Sequence, residues 1–184
     1  MIRKMLLFRI FGIVYIFASV IGSGVFAGDL EVSKNNMNWV FFSDQVMGGK
    51  SQGRADAAID GGTEFVRLQG NVTTANNGGF IQIRKPIAGL GVDLKGISLK
   101  IRGNGETYYV FIRTSGTMLP WQYYKADFPT KREWSEVHIE FKSFIRSSAW
   151  LGKKILPEKI KSIGIVAFGR DHKALIDVAS VQFF

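Results

Sequence analysis

The amino-acid sequence predicts an all-β domain, a β-sandwich of the jelly-roll kind. Three observations carry that prediction. Short apolar runs recur along residues 28–184 between glycine-marked breaks, with 21 glycines against 4 prolines in the chain. Several of these runs alternate apolar and polar residues with a period of two, as a strand buried on one face must. Only residues 157–161, which open on Pro157, read as a short helical turn.

Nine strands are expected. Residues 39–42 (Trp-Val-Phe-Phe) are aromatic or β-branched and suit a pleated surface. In 64–69 and 79–84, Val66 and Leu68, then Ile81 and Ile83, mark one apolar side; Arg67, Gln69, Gln82 and Arg84 take the other. In 97–102, Ile97, Leu99 and Ile101 oppose Ser98, Lys100 and Arg102. Residues 107–114 differ, because Tyr108, Val110 and Ile112 alternate with Tyr109, Phe111 and Arg113, so both faces carry large groups. Residues 121–128 follow with Trp121, Tyr123 and Tyr124 near Lys125. In 134–141, Val137, Ile139 and Phe141 point inward while Glu136, His138 and Glu140 face water. Residues 162–168 and 174–183 complete the set, and Trp39 and Trp134 are expected in the core. Nine strands at this spacing fit a sandwich.

The N-terminus reads as a leader. Arg3, Lys4 and Arg9 precede an apolar run from Ile10 to Ile21, and Val25-Phe26-Ala27 fits a signal-peptidase site before Gly28. The run is short for a bilayer span of roughly 20 residues, which favours export, to the periplasm or beyond, over a retained anchor. Without residues 1–27, residues 28–184 remain as one domain by the usual length rule, and the charge falls from +9 to +6 with the loss of three basic residues. Such a charge suits solubility, or an anionic lipid, glycan or acidic protein surface. The chain has no cysteine, so disulfides, thiolate catalysis and cysteine-ligated metals are excluded.

The most distinctive stretch is 39–53. After its strand it breaks into Ser43-Asp44-Gln45, Met47 and the pair Gly48-Gly49 before Lys50 and Ser51. Paired glycines permit close backbone approach, and Asp44 and Ser51 are short side chains that satisfy exposed amides. A rigid, self-bonded loop at a strand end is the physical reading.

Trp39, Ser43-Asp44, Val46-Met47-Gly48-Gly49 and Ser51 together resemble the opening motif of the complex I intermediate-associated protein family. Two later stretches agree: Asn77-Gly78-Gly79-Phe80, and Arg102-Gly103-Asn104-Gly105 with Tyr108 three residues on. The resemblance runs from about Trp39 to the C-terminus. It implies a galactose-binding-like jelly roll and a role in assembling respiratory complex I. One departure is visible, since Asn104 stands where the family pattern leads one to expect an aspartate.

For binding, the polar strand faces are the informative ones. Arg67, Arg84 and Arg102, if their strands share a sheet, would lie beside the aromatic planes of Tyr109, Phe111, Trp121 and Tyr123, with Arg113 among them. Such a face can stack sugars or pack a partner chain; alternatively, loops or the second sheet cover the aromatics. The motif residues Asp44, Met47, Gly48, Gly49, Ser51, Gly78, Gly79 and Gly103 each have a turn-building explanation.

Catalytic patterns are poor. His138 lies on the polar side of its strand and His172 in the turn 170–173, neither in a triad context. Zinc spacings are absent, and Asp44, Asp56 and Asp60 lack the dense alternation of a calcium loop. Gly48-Gly49-Lys50-Ser51 lacks the first glycine of a P-loop, and 102–105 lacks the third glycine of a dinucleotide fingerprint. No cofactor, no metal and no nucleic acid are expected. The sequence therefore leads to a non-catalytic binding protein: by resemblance, an accessory or assembly factor holding a protein partner, such as a membrane or respiratory-chain subunit. The alternative is a carbohydrate-binding module of the jelly-roll type, and an enzyme is the least supported reading.

Overall fold

The computed structural model describes residues 38–184. The expected leader, its cleavage point after Ala27 and the domain start at Gly28 lie outside the described residues. In chain order the strands are β1 (Val40–Ser43), β2 (Gln52–Asp60), β3 (Thr63–Val72), β4 (Phe80–Pro86), β5 (Gly96–Gly103), β6 (Thr107–Thr114), β7 (Tyr124–Pro129), β8 (Ser135–Glu140), β9 (Ile145–Arg146), β10 (Ile160–Phe168) and β11 (His172–Phe183). They form a six-stranded sheet, β1-β4-β10-β6-β7-β9, and a five-stranded sheet, β2-β3-β11-β5-β8. Every ladder is antiparallel. Most steps between successive strands change sheet, so residues far apart in sequence meet across the sandwich.

The core lies between the two inner faces. Ile81, Ile83, Tyr108, Val110, Ile112, Ile163 and Ile165 come from one sheet; Leu68, Ile97, Leu99, Ile101, Ile176 and Val178 come from the other. All are almost fully buried, and each such aliphatic side chain stabilises the fold by about 1.5–3 kcal/mol relative to exposure. The period-two reading of 97–102 and 107–114 fixes which set turns inward: Tyr108, Val110 and Ile112 do, which leaves Tyr109, Phe111 and Arg113 on the outer face.

Three segments depart from the sequence expectation. β2 was not among the nine expected strands, because Gln-Gly-Arg-Ala-Asp-Ala-Ala-Ile-Asp has almost no bulky apolar residue; it is an edge strand held by its ladder to β3. Asp56 and Asp60 lie on it, not in a loop. β9 is only two residues long and pairs with β7 through Tyr124 and Lys125. Residues 121–123 precede β7: the Ser147 hydroxyl donates to the Trp121 carbonyl and accepts the Tyr123 amide. Trp39 is half-buried and packs on the core, but Trp134 does not. It sits on the outer face of the five-stranded sheet, edge-on to Phe65 at 5.6 Å. Strand alternation explains this, since Trp134 precedes the run whose odd positions face inward.

Candidate functional site

The residues 39–53 build a clasp. Ser43 ends β1, and Asp44–Met47 make one 3₁₀ turn. The Asp44 carboxylate is fully buried and accepts four hydrogen bonds: from the Ser51 amide (2.9 Å), the Ser51 hydroxyl (2.5 Å), the Gly79 amide (2.6 Å) and the Phe80 amide (3.2 Å). Burial by itself pushes this carboxyl up, but the Gly79 amide, the Ser51 hydroxyl and the two other amides outweigh it and hold Asp44 below its ordinary value. Gly49 and Gly78 lie against the same carboxylate; a Cβ on either would come within 2.4 Å of it. Asp44, Gly49, Ser51 and Gly79 are thus one hydrogen-bonded unit joining β1, β2 and β4, with Gly78 packed against it. Gly48 donates to the Gln45 carbonyl to close the turn, whereas Met47 is exposed. Gly103 ends β5 and donates to the Lys131 carbonyl.

The arginines do not share a face. Arg67 and Arg102 stand on the outer face of the five-stranded sheet, where both hold Asp177. Arg67 donates from Nε and Nη2 at 2.7 and 2.8 Å, and Arg102 from Nε at 2.8 Å. Arg102 also reaches Asp60 at 2.7 Å and stacks over Trp134, 4.6 Å from its ring centroid. The hydrogen bond to Asp177 raises the affinity of each guanidinium for its proton. Their charges are satisfied internally.

Arg84 and Arg113 stand on the opposite side of the molecule, on the outer face of the six-stranded sheet. Register places Val40, Arg84, Gly164, Phe111, Lys125 and Ile145 in one row across that sheet. The adjacent row runs Phe42, Gln82, Val166, Tyr109 and Asp127. The aromatics form one cluster: Phe111 stacks on Tyr123 at 4.0 Å and 8°, while Phe168 meets Tyr109 and Phe111 edge-on at 5.7 and 5.5 Å. Lys125 lies 5.5 Å from the Phe168 ring centre, and Arg84 lies 4.8 Å from that of Phe42. Tyr123, from the loop before β7, covers part of Phe111, and Tyr109, Phe111, Tyr123 and Phe168 are each half-buried. Ile145 ends the row with 66% of its area exposed, and Trp121 and Trp150, in the loops before β7 and after β9, are 63% and 91% exposed.

Arg113 and Arg84 differ in their partners. Arg113 donates to the carbonyls of Pro120, Leu119 and Thr117, so it holds the loop that carries Trp121. The Arg84 guanidinium makes no hydrogen bond or ion pair among the described residues. Burial, and then the nearby Arg113 charge, lowers its proton affinity. Beside it the Gln82 side chain is only 6% exposed, and its amide likewise has no hydrogen-bond partner among the described residues.

A sequence profile described as Complex I intermediate-associated protein 30 matches residues 27–175. The chain belongs to that family. Among curated proteins no sequence matches it. Solved structures similar to this family member include carbohydrate-binding modules. One is a family 11 module from Clostridium thermocellum in complex with a β-1,3-1,4-mixed-linked tetrasaccharide (14% identity, TM-score 0.67, covering 84% of this chain and 93% of that one). Another is a family 30 module (11% identity, TM-score 0.56, covering 78% and 90%), and a third is a CBM4 structure (16% identity, TM-score 0.53, covering 82% and 88%). At these identities the likeness is one of fold, and it agrees with the galactose-binding-like jelly roll implied by the sequence motifs.

Of the residues singled out in the sequence, the family member's outer sheet face brings together Arg84, Tyr109, Phe111, Arg113 and Tyr123, with Trp121 at its margin. Phe168, Phe42 and Ile145 were missed. Phe168 was within reach of sequence, since Ile163, Ile165 and Ala167 set the inward phase of its strand and leave it outward. Ile145 was not, because two residues hold no period. Among the described residues no three His, Asp or Glu side chains gather as a metal site. His138 is exposed beside Phe184, and His172 places Nδ1 2.9 Å from the Arg170 carbonyl.

Proposed function

We propose that this chain is an exported, non-catalytic accessory or assembly factor that holds a protein partner, such as a membrane or respiratory-chain subunit, on the outer face of its six-stranded sheet. One observation carries the reading: the row Val40, Arg84, Gly164, Phe111, Lys125, Ile145, in which two cations and an aromatic lie between apolar ends. Aromatic side chains and arginine are the types enriched where proteins bind one another. Ile145, at the end of the row, is exposed and lengthens that surface. Family membership supports the assembly role.

The test is crosslinked affinity capture of the protein from its own cell envelope, beside a Phe111→Ala variant. Enrichment of one envelope subunit, reduced several-fold by the substitution, is expected. Equal capture by both proteins would remove this face from consideration.

A second reading has its own observation. The Gln82 amide, which has no hydrogen-bond partner among the described residues, shares a row of the outer face with Tyr109. A hydrogen-bonding group thus stands on one face with aromatic planes, the combination that sugar recognition uses. Retention on a glycan array, with no protein enriched, would move the function to carbohydrate binding.

A further inference from the structure

Large apolar side chains stand in water on two loops, 117–123 before β7 and 147–152 after β9. Met118 is 85% exposed and Trp150 91%; Leu119, Trp121 and, on β9 itself, Ile145 are exposed with them. The two loops adjoin. The Ser147 amide donates to the Tyr123 carbonyl at 2.9 Å, its hydroxyl donates to the Trp121 carbonyl at 2.8 Å, and the Tyr124 hydroxyl donates to the Gly152 carbonyl at 2.9 Å. β9 is the last strand of its sheet, so both loops lie at that sheet's free edge.

This exposure is built into the loops. Leu151, next to Trp150, is 3% exposed, and Arg146 Nη1 donates to the carbonyls of Ala149 and Leu151 on either side of the indole, at 3.1 and 2.7 Å. The backbone that carries Trp150 is therefore fixed with its ring outside. Arg113 and Gln122 fix residues 117–120 in the same way, through three carbonyls and two amides. The charge around the loops has one sign, since residues 113–126 and 141–157 contain basic residues and no Asp or Glu. Arg113 and Arg146 are engaged by carbonyls, whereas Lys153 and Lys154 are exposed and form no ion pair among the described residues.

We infer that these two loops seat the domain on the surface of an anionic lipid bilayer, with Met118, Trp121 and Trp150 entering the boundary between headgroups and acyl chains and Lys153 and Lys154 lying among the lipid phosphates. Tryptophan is the side chain most at home at that depth, where its ring is apolar and its N–H stays hydrated. Exposed apolar groups beside free lysines, with no acid to repel the surface, are the two attractions that hold a protein on such a bilayer. A rigid protein groove would have to match two separate projecting loops in shape, whereas a fluid bilayer accepts them at any spacing. The inference goes beyond the protein-partner reading and does not depend on it: it sets where the domain sits and leaves the sheet face for the partner.

The experiment follows the tryptophan fluorescence of the full chain mixed with vesicles of phosphatidylcholine and phosphatidylglycerol whose acyl chains carry bromine, a contact quencher. The wild type should be quenched. The double variant Trp121→Phe/Trp150→Phe, which keeps Trp39 and Trp134, should lose most of that quenching. Lys153→Gln/Lys154→Gln should need about tenfold more lipid for the same effect, as two cations beside an anionic surface imply, and added salt should act in the same direction. Circular dichroism confirms that both variants fold. The readout sits on the two indoles, so attachment through the expected leader alone does not produce it. An unquenched wild type, quenching that the double tryptophan variant retains, or equal quenching on vesicles of phosphatidylcholine alone would overturn the inference. Envelope capture of one protein that the double tryptophan variant loses, with the wild type unquenched by vesicles, would overturn it and assign the loops to a protein partner. The sheet-face reading fails separately, by envelope capture that Phe111→Ala leaves unchanged.

Discussion

Asp44 and Ser51 are joined twice, hydroxyl to one carboxylate oxygen at 2.5 Å and amide to the other at 2.9 Å. Residues 44–51 close into a ring around one buried charge, and the same carboxylate then takes the amides of Gly79 and Phe80 from β4's approach. The Ser51 hydroxyl also lies 3.0 Å from the Thr73 amide, which it accepts, so the clasp reaches the end of β3.

Replacing Asp44 by Asn should therefore cost about 2–4 kcal/mol, because an amide group faces donors that it cannot accept and leaves them unpaired in a buried site. Urea unfolding of the two proteins checks this. The pH dependence has a definite sign. The folded carboxyl lies below its unfolded value of about 3.9, so its contribution is complete above that value. It is lost as pH falls through the lower, folded value. The wild type should lose stability more steeply than Asp44→Asn as pH falls below about 3.9; parallel curves would mean that the clasp does not hold the charge.

Asp177 gives a second prediction. It is 3% exposed and faces two guanidinium groups. Asp177→Ala should cost about 2–3 kcal/mol, less than the ~3–5 kcal/mol of a fully buried pair, since Arg67 and Arg102 keep 35% and 22% of their side chains in solvent. Asp60→Ala should cost below about 1 kcal/mol, as its carboxylate is mostly solvated. Thermal melts of both variants distinguish the inner from the outer acid.

These two carboxylates show how legibility divides. Asp44 was readable because its partners are local in sequence or lie in a second glycine motif, and the residue types themselves signal a turn. Asp177 was not singled out, although it is the acid that neutralises Arg67 and Arg102. Its ladder partners are 110 and 75 positions away, a pairing set by which strands adjoin β11 and not by any spacing. The same cause put Arg67, Arg84 and Arg102 together in sequence reasoning and on opposite sides in space. Alternation assigns each strand an inner and an outer face; sheet order decides whose outer faces are neighbours.

The departure at Asn104 has a structural account and a prediction. Its Oδ1 accepts from the Tyr108 hydroxyl at 2.8 Å, and its Nδ2 donates to the Lys173 carbonyl at 2.8 Å. An aspartate can make the first bond and not the second, so Asn104→Asp should destabilise by about 1 kcal/mol. The Tyr108 hydroxyl also accepts the Leu175 amide at 2.8 Å, and Tyr108→Phe should cost about 1–2 kcal/mol.

Burial pushes the Tyr108 phenol up to about 12. Its neutral form is favoured in the folded state, so its contribution is complete below the unfolded value of about 10 and is lost as pH rises toward 12. Absorbance titration should show this phenol ionising only with unfolding.

Arg113 supplies the last prediction. Its guanidinium ties three carbonyls of residues 117–120, but the same loop has a second clamp, the nearly buried Gln122, whose side-chain oxygen accepts the amides of Met118 and Leu119. Arg113→Ala should therefore loosen the loop without melting the sheet. Amide exchange across 117–121 should accelerate about tenfold or more while global stability falls by about 1 kcal/mol, because the lost bonds lie at a partly solvated margin. Arg113→Lys should restore little, since a single ammonium cannot span three carbonyls with the planar fork that fits them. Unchanged exchange in Arg113→Ala would mean that Gln122 alone sets the loop, and would return Arg113 to the candidate ligand-contacting residues beside Arg84.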